Sequence, residues 1–352
     1  PAFNSDIVKD FSVYKGHVPA QFGGRLSSVF NIISRQGNRK RFAMHGSVNP
    51  VTGSVTLEGP LIKDKSSFLV SARSSYSDWL LNRIRDPLIR TSSAQFNDVA
   101  LSLSYDLKKS QVGLFVFNSY DFFRLSDINE YQYSNTGASL NFRQNFSTDV
   151  QADLTLIGAR YTFETNDSQE PSSAYKHGYE IDHYEVRLDF NHNTLSKHSL
   201  EYGAAFILND LDRGMVLPYG EESLRRPISL GKEKGAEGAL YLSDRVDVLP
   251  WLNITLGARY SIFAPLGPRT VYTYETNKPT YLIYLEDSLV FGNNKPVRWY
   301  SSPELRAAVN VATGPNGSVK LAFNQMHQNI FMLSNTITVA PNTQWKLADY
   351  YL

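Results

Sequence analysis

The 352 residues contain no cysteine, which excludes disulfides, thiolate metal centres and cysteine nucleophiles together. The net charge is only +1 at pH 7, so no basic excess points to nucleic acid, and there is no acidic tail. Long apolar runs are missing too. Nothing approaches the roughly 18 residues of a membrane-crossing helix, and mean hydropathy is −0.32. Helix signals are sparse, the best being the two turns predicted over Ser77–Ile84 behind a Ser/Asp start. Catalytic signatures are also missing: no HExxH, GxSxG, GxGxxG or phosphate-binding loop occurs, and Gly314-Pro315-Asn316-Gly317-Ser318 reads as a turn. The seven histidines show no ligand spacing. His183 and Glu185 share a strand face, an arrangement more often an ordinary polar contact than a metal site. No enzyme, cofactor or metal is expected. The opening PAFNSDIV lacks the basic and apolar regions of a signal peptide; if the protein is exported, its targeting signal is expected upstream or already removed.

What is abundant is aromatic residues, 21 Tyr and 20 Phe, and alternation of period two. Tyr184, Val186, Leu188 and Phe190 alternate with Glu185, Arg187, Asp189 and Asn191. Leu252, Ile254, Leu256, Ala258, Tyr260 and Ile262 alternate with Asn253, Thr255, Gly257, Arg259 and Ser261. Leu305, Ala307, Val309 and Val311 repeat the pattern against Glu304, Arg306 and Asn310. Such runs are strands with one apolar and one wet face. Short turns at 108–111, 147–150, 195–198, 249–251 and 314–317 take turns with longer segments near 75–95, 122–134, 164–180, 212–234, 266–298 and from 329 on. Sorting of loop lengths by end is a property of outer-membrane barrels. A soluble sandwich gives similar alternation, but usually with strands of about 5–6 residues, shorter than these. About thirteen strands of roughly 8–14 residues are expected from Arg41 on, with apolar faces to lipid and Glu185, Arg187, Asp189, Arg259, Glu304, Arg306 and Lys320 facing inward. Trp251 and Trp299 stand where interfacial aromatic girdles belong.

One stretch carries more. DIVKDFSVYKGHVPAQFGGRLSSVFNIISRQGN, residues 6–38, resembles the C-terminal end of the plug domain of TonB-dependent outer-membrane receptors. The match runs through Lys15, Gly16, Pro19, Gly23, Gly24, Arg25, Ser27 and Asn31, which the resemblance makes the plug-to-barrel motif. SVTLEGPLIKDKSSFLVSARSSYSDWLL, residues 54–81, resembles the first barrel hairpin of Bacteroidetes-type receptors, including SusC-like and carboxypeptidase-regulatory-domain branches. QMHQNIFMLSNT resembles a mid-barrel stretch of the same branch. Gly16 and the Gly23-Gly24 pair would permit sharp turning beside the wall. Val29, Phe30, Ile32 and Ile33 would sit in a plug core, and Arg39-Lys40-Arg41 at the crossing to the barrel.

The resemblance implies an all-β fold: a transmembrane antiparallel β-barrel (39–352), incomplete at about 13 strands of a presumed 22, preceded by the end of a plug (1–38). It implies a receptor in the bacterial outer membrane that imports a nutrient ligand with TonB-coupled energy. Its partners would be outer-membrane lipid, a TonB-type energy-transducing complex and a SusD-like surface lipoprotein. A receptor-like barrel acting as a structural subunit of a larger outer-membrane assembly is the alternative, and a soluble carbohydrate-binding β-protein a third. Tyr120-Asp121-Phe122-Phe123-Arg124 and Tyr272 with Tyr274, expected in long loops, offer stacking faces to a ligand. Their other reading is girdle residues or packing between loops.

Overall fold

The computed structural model describes residues 4–351 apart from Ser27, Asp127 and residues 194–196, 276–278, 280–283 and 334–343. A two-stranded hairpin, β1 (Val8–Tyr14) and β2 (Val29–Ser34), comes first. The wall begins with β3 (Ala43–Val48), β4 (Thr52–Ile62), β5 (Ser66–Ser75), β6 (Ser93–Asp106), β7 (Ser110–Leu125), β8 (Asn129–Asn145), β9 (Val150–Asp167), β10 (Tyr175–His192) and β11 (His198–Asp212). A short hairpin, β12 (Met215–Pro218) and β13 (Ile228–Ser229), extends beyond β10, and the wall resumes with β14 (Lys232–Leu249) and β15 (Leu252–Leu266). A separate hairpin follows, β16 (Arg269–Tyr274) with β17 (Leu285–Phe291); then come β18 (Tyr300–Gly314) and β19 (Gly317–Asn324), and the last hairpin is β20 (Ile330–Leu333) with β21 (Gln344–Leu347). Thirteen strands pair antiparallel in chain order, from β3 at one edge to β19 at the other. This is the meander that the alternation predicts.

Two expected loops are strand instead. The pairing of β7 with β8 continues to Leu125↔Asn129, so 122–134 lies within the wall except for residues 126–128. Likewise β9 runs to Asp167 and β10 starts at Tyr175. The alternation persists through both segments, and a tight turn needs only a few residues. The turn expected at 195–198 lies partly outside the described residues. The helix predicted over Ser77–Ile84 forms as one turn, Asp78–Leu81.

The wall is inverted relative to a water-soluble protein. Leu240, Leu256, Phe206, Leu305 and Leu321 are 65%, 57%, 54%, 56% and 71% exposed. Directly opposed pairs continue that outward band from strand to strand: Leu57↔Val70, Val70↔Leu101, Leu154↔Leu188 and Leu240↔Tyr260. The inner face instead buries Glu304, Arg306, Arg259, Glu237 and a set of hydroxyls. Thr56 and Ser71 bond at 2.9 Å and Ser67 and Ser104 at 2.7 Å. A contiguous exposed apolar face far beyond the roughly few hundred Å² tolerated by soluble monomers must meet an apolar medium.

The N-terminal segment ties the two ends of this sheet together. Near the β3 edge, Asn4 Nδ2 donates to Ser71 Oγ at 2.8 Å, and Arg35 donates to the Asp6 carbonyl at 2.9 Å while pairing Glu58 at 3.1 Å. At the other edge, Asn324 of β19 donates to the Gly16 carbonyl and accepts from Val18 N at 3.2 Å. Arg39 pairs with Asp106 where the chain passes into the wall. Beyond it, of the residues expected in a plug core Val29 and Ile32 are half-buried but Phe30 and Ile33 are exposed, as are Phe11 and Val13 on β1. A two-stranded sheet has no second layer to cover that face.

Leu240→Arg, mid-band on β14, is expected to lower wall stability in lipid vesicles by about 2–4 kcal/mol, against less than about 1 kcal/mol for Thr155→Arg on the inner face. Urea titration followed by tryptophan emission measures both. Equal costs would mean the two faces are assigned wrongly.

Candidate functional site

Four consecutive carbonyls of the N-terminal segment dock on two wall arginines. The alternation of β15 and β18 turns Arg259 and Arg306 inward, where they are 3% and 2% exposed. Arg306 Nη1 donates to the Val18 carbonyl at 3.1 Å and also to that of Pro19, while Nη2 binds Glu304 Oε2 at 2.6 Å. Arg259 Nη1 donates to the carbonyls of Gln21 at 3.1 Å and Ala20 at 3.5 Å. Its Nε reaches Ser261 Oγ at 3.0 Å and its Nη2 reaches Glu237 Oε1 at 3.4 Å. A guanidinium has five donors in a fixed fork, so each arginine can hold a carboxylate and two carbonyls at once, although Arg306 Nε is buried without a partner among the described residues.

The motif residues divide by role. A Cβ on Gly23 would lie 2.3 Å from Arg259 Nε, so the arginine occupies the space that a side chain would need. Gly24 has φ +74, a left-handed turn that glycine adopts without strain. Gly16 needs neither freedom: its φ is not positive, and nothing lies within 4 Å of a Cβ placed there. Its part is the carbonyl that Asn324 holds. Pro19 contributes a carbonyl, Lys15 is exposed, and Asn31 lies in β2 opposite Ser12. Ser27 is outside the described residues.

Past Gly24 the chain leaves the wall and Arg25 enters a lumenal cavity of about 690 Å³. One side of the cavity is aromatic, with Phe117, Tyr133, Tyr161 and Tyr179 from β7 to β10. The other side is closed by the inward-folded hairpin β20–β21, which brings Ile330, Met332 and Trp345. That hairpin packs on Leu211, itself fully buried. The backbone N–H of Leu347 donates to Glu233 Oε2 at 2.7 Å, and Arg269 and Arg213 approach the same carboxylate at 3.4 and 3.6 Å. Gln328 accepts from Leu26 N at 3.2 Å, and Asn329 donates to Glu237 at 2.9 Å. The hairpin thereby bridges segment and wall. Among the described residues no cluster of three metal-ligating side chains occurs; His183 is bonded to Asn209 at 2.9 Å and to Glu185 at 3.4 Å.

The aromatic candidates lie elsewhere than expected. Tyr120, Asp121, Phe122, Phe123 and Arg124 are on β7, not in a loop. Asp121, Phe122 and Phe123 line a neighbouring recess, where Phe123 stacks on Tyr131 at 6.3 Å. Tyr272 and Tyr274 do fall in the long connection between β15 and β18, on β16. Tyr351 donates to the Tyr272 carbonyl at 2.6 Å and its ring is 6.4 Å from Tyr274, so this pair packs two segments together. Trp345 and Asn324 escaped the sequence reading because no local pattern announces that the chain after β19 folds inward. Arg259 and Arg306 had a signal, an arginine on the wet face of a regular strand.

No protein-family model and no curated protein matches this chain. Solved structures do. The ferric preacinetobactin receptor of Acinetobacter baumannii aligns over 94% of this chain and 54% of its own length, at 12% identity and a TM-score of 0.66. The copper transporter OprC aligns over 96% and 54%, at 9% identity and 0.67. The ferric-catecholate import receptor Fiu of E. coli K12, in an open form, aligns over 90% and 59%, at 12% identity and 0.60. The chain spans a little over half the length of these structures. The likeness establishes the fold: a section of an antiparallel β-barrel like that of these structures.

Two outcomes follow from the docking geometry. Arg306→Gln strands Glu304, which is 1% exposed, and is expected to cost about 3–5 kcal/mol in a urea titration, while Glu304→Gln/Arg306→Gln recovers much of it. A double variant no better than the single one would mean the pair is not a unit. The second concerns His17, whose Nδ1 is buried without a partner among the described residues. Burial first, then the charges of Arg306 and Lys320, hold its imidazole below the usual 6.5. The docked state binds a proton less readily than the released one, so docking is complete above about pH 6.5 and weakens as pH falls below it. Exchange of the Val18 amide is expected to accelerate between about pH 7.5 and about pH 5.5 relative to intrinsic chemistry, and His17→Gln to remove the effect. An unchanged relative rate in the parent protein would dismiss His17 as the cause.

Proposed function

We propose that this chain is a section of a receptor in the bacterial outer membrane that binds a nutrient ligand in its lumen and imports it to the periplasm. In this reading residues 39–352 belong to the barrel and residues 1–38 are the end of its plug. The observation that carries it is the combination of an apolar outer face with a lumen crossed by a separate segment held on buried wall arginines. A barrel that served only as scaffold has no need of such a crossing segment. The uncovered face of Phe11, Val13, Phe30 and Ile33 supports a plug larger than residues 1–38.

The division of labour follows from the bonds. Lipid covers the outer band. The wall supplies fixed cations and the segment supplies carbonyls, so the plug is retained by polar bonds that water can replace one at a time. An apolar core of the same size would resist displacement far more. Energy for displacement would come from a TonB-type complex acting on the plug, as the sequence resemblance implies, and a SusD-like lipoprotein is the candidate partner over the loops. The ligand would rest in the cavity between Arg25, the aromatic wall and β20–β21, where the plug and the inward hairpin both touch it.

The test is conductance in planar bilayers, made on the complete receptor chain in which this section lies. The parent protein is expected to stay closed. Glu237→Gln/Arg259→Gln combined with Glu304→Gln/Arg306→Gln, which keeps the wall free of a stranded carboxylate, is expected to open a measurable channel while the heat-modifiable mobility of a folded barrel is retained. A folded variant that remains as closed as the parent would remove the plug from this reading.

A further inference from the structure

Arg25 and His183 are the basic side chains that face the lumenal cavity, and its lining contains no aspartate or glutamate among the described residues. Arg160, at its border, stands on the same face of β9 as the outward Leu154 and Leu156 and is held there by Asp182 at 2.7 Å and Glu180 at 3.3 Å. The imidazole is already answered. His183 lies 3.4 Å from Glu185 and 2.9 Å from Asn209. No carboxylate lies within 4.0 Å of Arg25 among the described residues, Glu237 acting on it only from farther off; its Nη1 donates to the carbonyl of Gly24 at 3.2 Å, and its guanidinium stands 5.8 Å from the Trp345 ring centre. Glu237, the acid beside Gly24, is engaged by Arg259 at 3.4 Å and by Asn329 at 2.9 Å. A fixed cation in a low-dielectric lumen, with the local acid engaged by other partners, gives the space a positive potential.

We propose that Arg25 is the specificity-determining residue of this cavity and that it selects a ligand with an anionic group joined to a flat apolar body. The proposal rests on the reading of the lumen as the binding site and adds the charge and shape of what it takes. The anion meets the open side of Arg25, whose planar fork suits a carboxylate or sulfonate. The body lies against Tyr161, Tyr179 and Trp345, whose faces offer stacking at small entropic cost. A neutral sugar fits less well. Sugar hydroxyls are held by dense polar side chains, carboxylates among them, and here those carboxylates are absent from the lining or occupied by arginine. The space of about 690 Å³ accommodates a ligand of ordinary small-molecule size.

The test is calorimetry on the detergent-purified complete receptor chain with three probes: naphthalene-2-carboxylate, naphthalene-2-methanol and maltose. The acid is expected to bind at least about tenfold tighter than the alcohol, the gain of one hydrogen-bonded charge pair, with maltose weakest. Arg25→Gln is expected to equalise acid and alcohol, and Arg25→Lys to keep part of the preference, with heat-modifiable mobility reporting that each variant is folded. Equal affinity for acid and alcohol in the parent, tightest binding of maltose, no binding of any probe, or an undiminished preference in folded Arg25→Gln would each overturn the assignment. Acid-selective binding lost in Arg25→Gln, in cells that accumulate none of the radiolabelled acid, would keep the assignment and discard the import reading instead.

Discussion

At the height of its apolar band the wall has one side on which to keep its charges, and the rest of the structure follows from that constraint. An ion left unpaired in such a place is costly, so the inner face is built as a chain of pairs. Arg73 meets Asp98 at 2.6 Å, Arg143 meets Asp153 at 2.8 Å, and Arg187 lies between Glu185 and Asp189 at 3.4 and 3.1 Å. Near the β19 edge the pairs Arg259–Glu237 and Arg306–Glu304 leave guanidinium donors over, and the carbonyls of residues 18–21 take them up. Charge satisfaction of the wall and docking of the segment are therefore one set of bonds. That choice of bond also sets how the segment can leave, since each carbonyl released to water recovers most of what it loses.

The same few residues connect docking to the cavity. Gly23 yields its side-chain space to Arg259, Gly24 turns the backbone through a positive φ, and Arg25 arrives in the cavity beside Trp345. Only one residue separates the arginine that faces the cavity from the glycine that admits the arginine of the wall. A displacement of Arg25 acts on backbone whose next anchor is the Gln21 carbonyl on Arg259. Coupling between the cavity and the wall needs no long path here, because both lie on one short run of chain.

The strands were legible because their periodicity is the physical cause of the two-faced wall: Tyr184, Val186 and Leu188 point outward in the structure as their alternation with Glu185 and Arg187 requires. The ends of strands were less so. The aromatic run at 120–124 has the composition of a recognition loop and of a strand alike, and only its pairing with residues 130–134 decides between them. The site itself was half legible. Glycines and Arg25 stood out as a motif, and Arg259 and Arg306 as inward charges, but nothing local joins positions more than two hundred residues apart. Trp345 lies on a segment whose inward fold is set by Leu211 and Glu233 on other strands, a tertiary decision with no local counterpart.

The arginines of this lumen show that a side chain's task is assigned by what stands next to it. Arg187 and Arg25 both face the lumen with the same guanidinium, yet the first is held between Glu185 and Asp189, while the second meets a backbone carbonyl and an indole face among the described residues. Arg259 and Arg306 are equally cationic, but burial and their carboxylate partners commit them to the wall. A motif groups Gly23, Gly24 and Arg25 as one feature. The geometry separates them, because an arginine paired on the wall can only hold, whereas one with its fork turned to open space has bonding capacity left for something that arrives from outside.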